Sequence, residues 1–435
     1  MNRHVRGWLP LVAALAAVIA ARAAEAQPLR LEDAVHLALT RNERARIADL
    51  QSTISRAGVE RALAGFLPVL SASGNDTQHV AAPPARMGAA DSPTNIASGV
   101  VQITQPLVSA PAWPLYRQAR QLYEAQRYQT VDDKRTLAFD ASRSFLAVLT
   151  SEAVLGAAER RLDSAKANLA DTQARVDAQL SSSNDVTRAQ VDLAGAAREV
   201  ELDRGNRDDA YVLLAFVLAA PVANGVAQPD ALMAAADKPI DPIDALVKTA
   251  IASRPDLAAL RHSATAAHAF ASEPLLRLVP TLGLTGQANL STNTTASGTW
   301  HDESIAFTLG WTIYDAGVRY ADKRSRDASA AIADLNTSEL QRNVEAQVRG
   351  AVAILASAQA ALKQADAAVK AARQNVEETA ILYRQGLAKA IELVDANDSR
   401  FVAEVNFSQA EYAMAQAYLN LRQAIGLNPF DGALP

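Results

Sequence analysis

Residues 348–383 read VRGAVAILASAQAALKQADAAVKAARQNVEETAILY, and this stretch decides the fold. Large apolar residues recur every seven positions, at Val348, Leu355, Leu362, Val369, Val376 and Tyr383. Three residues after each of the first five stands a small one: Ala351, Ala358, Ala365, Ala372 and Thr379. An earlier stretch repeats the pattern, with Val148, Leu155, Leu162, Leu169 and Val176 followed by Ser151, Ala158, Ala165 and Thr172. An apolar 3-4 spacing sustained over several heptads specifies coiled-coil packing, and the small positions bring the helices unusually close. The chain therefore carries a long helical hairpin twice.

Working outward, the order of elements also repeats. The first repeat, residues 27–240, is read as a helix over 31–65, strands over 66–80 and 96–108, a helical hairpin over 115–218 and a Pro-rich connector over 219–240. The second, 241–435, is read as a helix over 243–279, strands over 281–291 and 304–314, a hairpin over 318–425 and a tail from 426. Between residues 81 and 95 lies a loop centred on Pro83-Pro84. The sharpest local signals are Leu282, Leu284, Gly286, Ala288 and Leu290, and then Ile305, Phe307, Leu309, Trp311 and Ile313. In both runs the alternate residues are small and mostly polar, which is the period of a strand with one apolar face. The hairpins turn at Leu180 to Asp185, rich in capping Ser, Asn and Asp, and at Gly386, placed as a left-handed helix terminator.

Composition agrees. Apolar residues make up 49% of the chain and aromatic ones only 5%, which suits long, closely packed helices better than a bulky core. The formal charge of -5 is mild and no basic block is interleaved with aromatics, so nucleic acid is not an expected partner. Residues 1–26 have the layout of a secretory signal: Arg3, His4 and Arg6, then an apolar run from Leu9 to Ala21, then Ala24-Glu25-Ala26 before Gln27. There is no cysteine, so an exported chain must be held by packing or assembly rather than by disulfides. Beyond the signal no apolar run reaches the roughly 18 residues that a membrane-spanning helix needs. Entry into a membrane would have to be by strands.

A helix of about 65–70 residues extends on the order of 100 Å, so the hairpins must project from the strands. Four strands with one apolar and one small polar face match the wall of an outer-membrane barrel. They cannot close one, and open edges are not tolerated in a bilayer, so in a membrane the sheet must close with copies of itself. The alternative is a soluble β-sandwich whose apolar face packs on helices, which leaves unexplained why the strand pairs interrupt two extended hairpins.

The mature chain resembles the TolC family of outer-membrane efflux proteins. The resemblance rests on the duplicated order of elements, on Pro68 and Pro280 before the first strand of each half, and on Gln105-Pro106-Leu107 closing the second strand. Its most specific part is Tyr383-Arg384-Gln385-Gly386-Leu387 followed by Glu392-Leu393-Val394-Asp395-Ala396. This is similar to the family's Tyr-x-x-Gly and then Asp-Val-Leu-Asp-Ala at the same spacing. The family implies an α+β membrane protein that forms a homotrimer, with a 12-stranded barrel continued by a coiled-coil tunnel in the periplasm. It also implies a passive conduit gated at its periplasmic tip, working with a periplasmic adaptor and an inner-membrane pump in a tripartite efflux or type I secretion system.

Glu392 and Asp395 are three apart and share a helix face. By resemblance they match the family's constriction carboxylates, whose ring in a trimer would favour cations. Asp185 and Tyr383 match positions that hold neighbouring hairpins together when the tunnel is closed. The family's latch arginine falls on Ala388 here, with Lys389 beside it, and Gln179 stands where a glycine is usual before Leu180. Leu180, Gly386 and Leu387 are candidate adaptor contacts. An enzyme is not expected: the six histidines are scattered, and no phosphate-binding glycine loop or nucleophile motif occurs. No cofactor or metal is expected. The alternative to a channel is a periplasmic coiled-coil scaffold.

Overall fold

The computed structural model describes residues 28–78, 95–292 and 299–431; the expected signal at 1–26 and nearly all of the loop at 81–95 lie outside them. In the first half the elements are α1 (Leu31–Arg41), α2 (Glu43–Ala64), β1 (Val69–Gln78), β2 (Asn95–Val108), α3 (Ala112–Asp177), α4 (Ser183–Leu218) and α5 (Asp230–Ala236). In the second half they are α6 (Ile243–Ser253), α7 (Pro255–Ala271), α8 (Glu273–Leu276), β3 (Thr281–Ser291), β4 (His301–Gly310), α9 (Val318–Arg384) and α10 (Ala390–Ala424). Two compact units result, and each draws on both halves: one holds residues up to Ala48, Val131–Arg254 and Arg342 onward, the other Asp49–Thr130 and Pro255–Gln341.

The first unit is helical. On α1, Leu31, Ala34, Val35, Ala38 and Leu39 fall at helical spacing on one buried face. They belong to a core with Leu137, Phe145, Leu146 and Val148 of α3, Leu214 and Leu218 of α4, and Ala415 and Leu419 of α10. Of the heptad residues expected in the seams, Val148, Leu155, Ala158, Ala165 and Thr172 on α3 and Val348, Ala351, Leu355, Val369, Val376 and Tyr383 on α9 are buried, while Leu162, Leu169, Val176 and Leu362 are half-buried.

The helix expected over 31–65 is two helices. Asn42 is extended, its side-chain oxygen accepts from the Arg44 backbone at 2.9 Å, and its amide donates to the Val217 carbonyl at 2.8 Å. An Asn that caps a helix competes with the helical path through itself, so the chain turns there. The helix expected over 243–279 is likewise broken, at Arg254 and again at Ser272. Arg254 precedes Pro255, whose ring disfavours the helical conformation for the residue before it. Its guanidinium then reaches Gln347 at 2.6 Å and the Ala424 carbonyl at 3.2 Å. The connector over 219–240 contains one short helix, α5, which starts directly after Pro229.

The second unit carries a four-stranded antiparallel sheet in the order β1-β2-β3-β4. Its middle pair joins the two halves, with Ile103 opposite Gly286 and Thr104 opposite Thr285. The register slips at Pro106, which has no N–H for the ladder. β1 begins at Val69 rather than at 66, and residues 79–80 of the strand expected there lie outside the described residues. The strand expected over 304–314 is displaced to 301–310. β3 begins at Thr281 opposite Gly310, directly after Pro280, so Trp311 to Tyr314 have no strand to pair with. The Trp311 indole instead donates to the Leu278 carbonyl at 3.0 Å. Along β4 the apolar face is open, with Ile305, Phe307 and Leu309 all about 70–80% accessible. None of the helices among the described residues is long and apolar enough to cross a membrane.

Candidate functional site

The ends of the two hairpins in the helical unit are built alike. At the first, the Leu180 N–H donates to the Arg175 carbonyl at 2.8 Å and the Gln179 N–H to the Val176 carbonyl at 2.9 Å. At the second, Leu387 donates to Leu382 at 2.9 Å and Gly386 to Tyr383 at 3.0 Å. Each pair is the 6→1 and 5→2 bonding of a Schellman turn, which requires a left-handed residue at its centre. Gly386 takes that conformation with φ 77°, and Gln179 takes it with φ 60° at the steric cost of a side chain. The residue after it is a leucine in both turns, and Leu180 and Leu387 are 77% and 74% accessible.

The helices that follow begin differently. Ser182 caps α4 by accepting from the Asn184 N–H, while the Asp185 carboxylate accepts from the Ser182 N–H at 3.1 Å and from the Ser181 hydroxyl at 2.7 Å. The hydroxyl and the backbone N–H hold the Asp185 carboxyl below the usual carboxylate range. In α10 the residue 207 positions later, Glu392, has the same place three residues after the cap. There the cap is Lys389, whose side chain makes no capping bond. Glu392 is therefore left free. It is exposed, as is Asp395 on the same face, and among the described residues neither forms an ion pair.

Tyr383 is buried in the seam, and its hydroxyl has no hydrogen-bonding partner in the chain. Among the described residues no hydrogen bond joins it to Asp185, and Lys389 forms no ion pair. A different cation meets the tyrosine. The Arg175 guanidinium lies 4.1 Å from the centre of the Tyr383 ring and donates to the Tyr383 carbonyl at 3.1 Å, tying α3 to α9. Arg175 also pairs with Asp171 at 3.2 Å. A face-on guanidinium with a carbonyl bond at its edge is a stronger tie than a surface ion pair. Sequence reasoning missed Arg175 because it belongs to the other hairpin. The sequence signal for it is its place in a seven-residue series with Arg161 and Asn168 on α3.

Farther from the tips, more arginines join the hairpins. Arg161 of α3 binds Asp192 of α4 at 3.2 Å and Asp398 of α10 at 2.9 Å, and lies over the Phe401 ring at 5.4 Å. Arg160 and Arg373 converge on the buried Glu404 at 2.9 and 3.3 Å. No group of three or more His, Asp or Glu among the described residues is arranged to hold a metal ion.

Comparison with known proteins gives one family: the model described as outer membrane efflux protein matches residues 34–220 and 246–427. A search of curated proteins gives no match. Similar folds are found among solved structures. The Campylobacter jejuni CmeC outer membrane channel superposes with a TM-score of 0.78 at 15% identity, over 91% of this chain and 85% of that one. The Vibrio cholerae outer membrane protein VceC gives 0.76 at 14% identity, over 92% and 96%. The open state of the Neisseria gonorrhoeae MtrE outer membrane channel gives 0.76 at 19% identity, over 93% and 91%.

Proposed function

Since the chain belongs to the outer membrane efflux protein family, whose members are outer-membrane channels, we propose that it is a passive conduit gated at the hairpin tips. The protein acts as the outer-membrane component of an efflux system, with its helical part in the periplasm. We assign it a homotrimer in which three four-stranded sheets close one barrel, and a periplasmic adaptor and an inner-membrane pump as partners. The pump supplies the energy; the channel itself performs no catalysis.

Free Glu392 and Asp395 at the start of α10 carry the gating reading. Repeated three times around a narrow opening, these carboxylates place a negative ring in the path of the cargo. Asp185, fixed and ionised by its capping bonds, and Tyr383, clamped by Arg175, set the positions of the two tips. Leu180 and Leu387, presented outward on matching turns with Gly386 between helix and loop, form the adaptor contact.

The test is single-channel recording in planar bilayers. Glu392→Ala with Asp395→Ala should weaken block by a trivalent cation added on the periplasmic side. Equal block in variant and wild type would sink the acidic ring. A protein that stays soluble and monomeric, and opens no channel at all, would favour the scaffold reading instead.

A further inference from the structure

We infer that the seam residues Asn168 and Thr172 are gating residues, forming a deliberately under-satisfied segment of α3 that sets how readily the tip opens. The inference rests on the gated-channel reading. Arg161, Asn168 and Arg175 are seven residues apart and so share one stripe of α3, with Thr172 between the last two. The two ends of the stripe are tied down. Arg161 holds α4 and α10 through Asp192 and Asp398, and Arg175 holds α9 through Tyr383. The middle is not. Asn168 is 6% accessible and Thr172 fully buried, yet the Asn168 side-chain oxygen and the Thr172 hydroxyl have no hydrogen-bonding partner in the chain, nor does the Tyr383 hydroxyl.

Asn168 also borders an open groove of about 310 Å³ between Asp185, Ala189 and Val191 of α4 and Ala390, Ile391 and Val394 of α10. Ile391 and Val394 alternate along α10 with Glu392 and Asp395, so the wall of the groove and the acidic face share one helical turn. A buried polar atom without a partner penalises the closed seam, and the groove beside it gives water a short path to the seam once it parts. Parting the seam hydrates all three orphaned groups. The closed state is thus held chiefly by the Arg175 clamp, while Arg161 serves as the fulcrum.

The prediction runs against the usual effect of core substitution. Thr172→Val, which keeps the shape and removes the hydroxyl, and Asn168→Leu, which fills space with apolar atoms, should each raise the melting midpoint by about 2–4 °C. Both should lower single-channel conductance in planar bilayers. Thr172→Ser, which keeps the hydroxyl, should do neither. Arg175→Ala is the control for the gate itself and should raise conductance. If it does so while Thr172→Val and Asn168→Leu leave conductance unchanged or raise it, the seam proposal is overturned and the gate stands. If Arg175→Ala changes nothing, gating at this clamp is wrong. The melting measurement still decides whether the seam is under-satisfied, because a lowered midpoint in both variants refutes it.

Discussion

Asp203 stands where the return helix of the first hairpin otherwise places alanine. Ala189, Ala196 and Ala210 share its seven-residue register, and the corresponding residue of the second hairpin is Ala410. The side chain is 6% accessible; one carboxylate oxygen receives a 3.3 Å bond from Asn206 and the other receives none. Burial, aided by the nearby Glu199 charge, pushes the carboxyl above its ordinary value, although the Asn206 bond pulls it back. Its folded pKa therefore exceeds the unfolded one. The stability linked to protonation is complete below the unfolded pKa near 3.8 and is lost as pH rises through the raised folded value. Replacing Asp203 with Ala should stabilise the protein at neutral pH by about 1–3 kcal/mol, the usual cost of an unsatisfied buried polar group, and flatten this pH dependence. Chemical denaturation followed by circular dichroism between pH 4 and 8 measures both effects. A less stable Asp203→Ala variant at pH 7 would mean that the carboxylate has a favourable role in the assembled protein.

At the level of elements, the long helices and strand periodicity were legible because each rests on many residues with one period. The breaks were not, because each rests on a single competing interaction. Asn42 reads as an ordinary polar residue until its amide meets the Val217 carbonyl, far away in sequence. Arg254-Pro255 did offer a local signal, yet the apolar spacing on either side continued through it. The tip motif around Tyr383 and Glu392 was likewise legible, whereas the clamp on it was not, since Arg175 and Tyr383 meet only when α3 and α9 pack. The contrast between the two tip helices suggests a direct manipulation. α4 has a complete capping box at Ser182 and Asp185, and α10 has Lys389 and Glu392 in the same places without one. Lys389→Ser should supply the missing cap and stabilise the start of α10 by about 0.5–2 kcal/mol. It should also draw Glu392 towards the backbone and so weaken trivalent-cation block relative to wild type. Slower amide hydrogen exchange at residues 390–393 reports the first effect and bilayer recording the second. Unchanged block alongside slowed exchange would show that Glu392 contributes nothing to the ring, leaving it to Asp395.

At the scale of the molecule, duplication could be read from the sequence, but the way the halves combine could not. The four strands are expected to share one sheet, but their order is not legible in the sequence; the pairing of β2 with β3 across the repeat is what makes one sheet from two half-chains. The sheet leaves β1 and β4 as its edges within a single chain. In the family's membrane setting those edges must be paired by other copies, and the two faces must meet different media. On β4, Ile305, Phe307 and Leu309 lie on one face and Thr308 on the other. An arginine on the lipid face at mid-depth costs about 2–4 kcal/mol per site, whereas one facing the lumen costs little. Phe307→Arg should therefore sharply reduce the yield of heat-resistant trimers in outer-membrane fractions, because each trimer carries the penalty three times. Thr308→Arg, one residue away on the same strand, should assemble at nearly the wild-type level and alter only the conductance. The neighbouring pair controls for expression and for strand propensity, so the contrast isolates which face the lipid touches. Equal losses in the two variants would contradict the assignment of faces, and equal tolerance would contradict the membrane placement of this sheet.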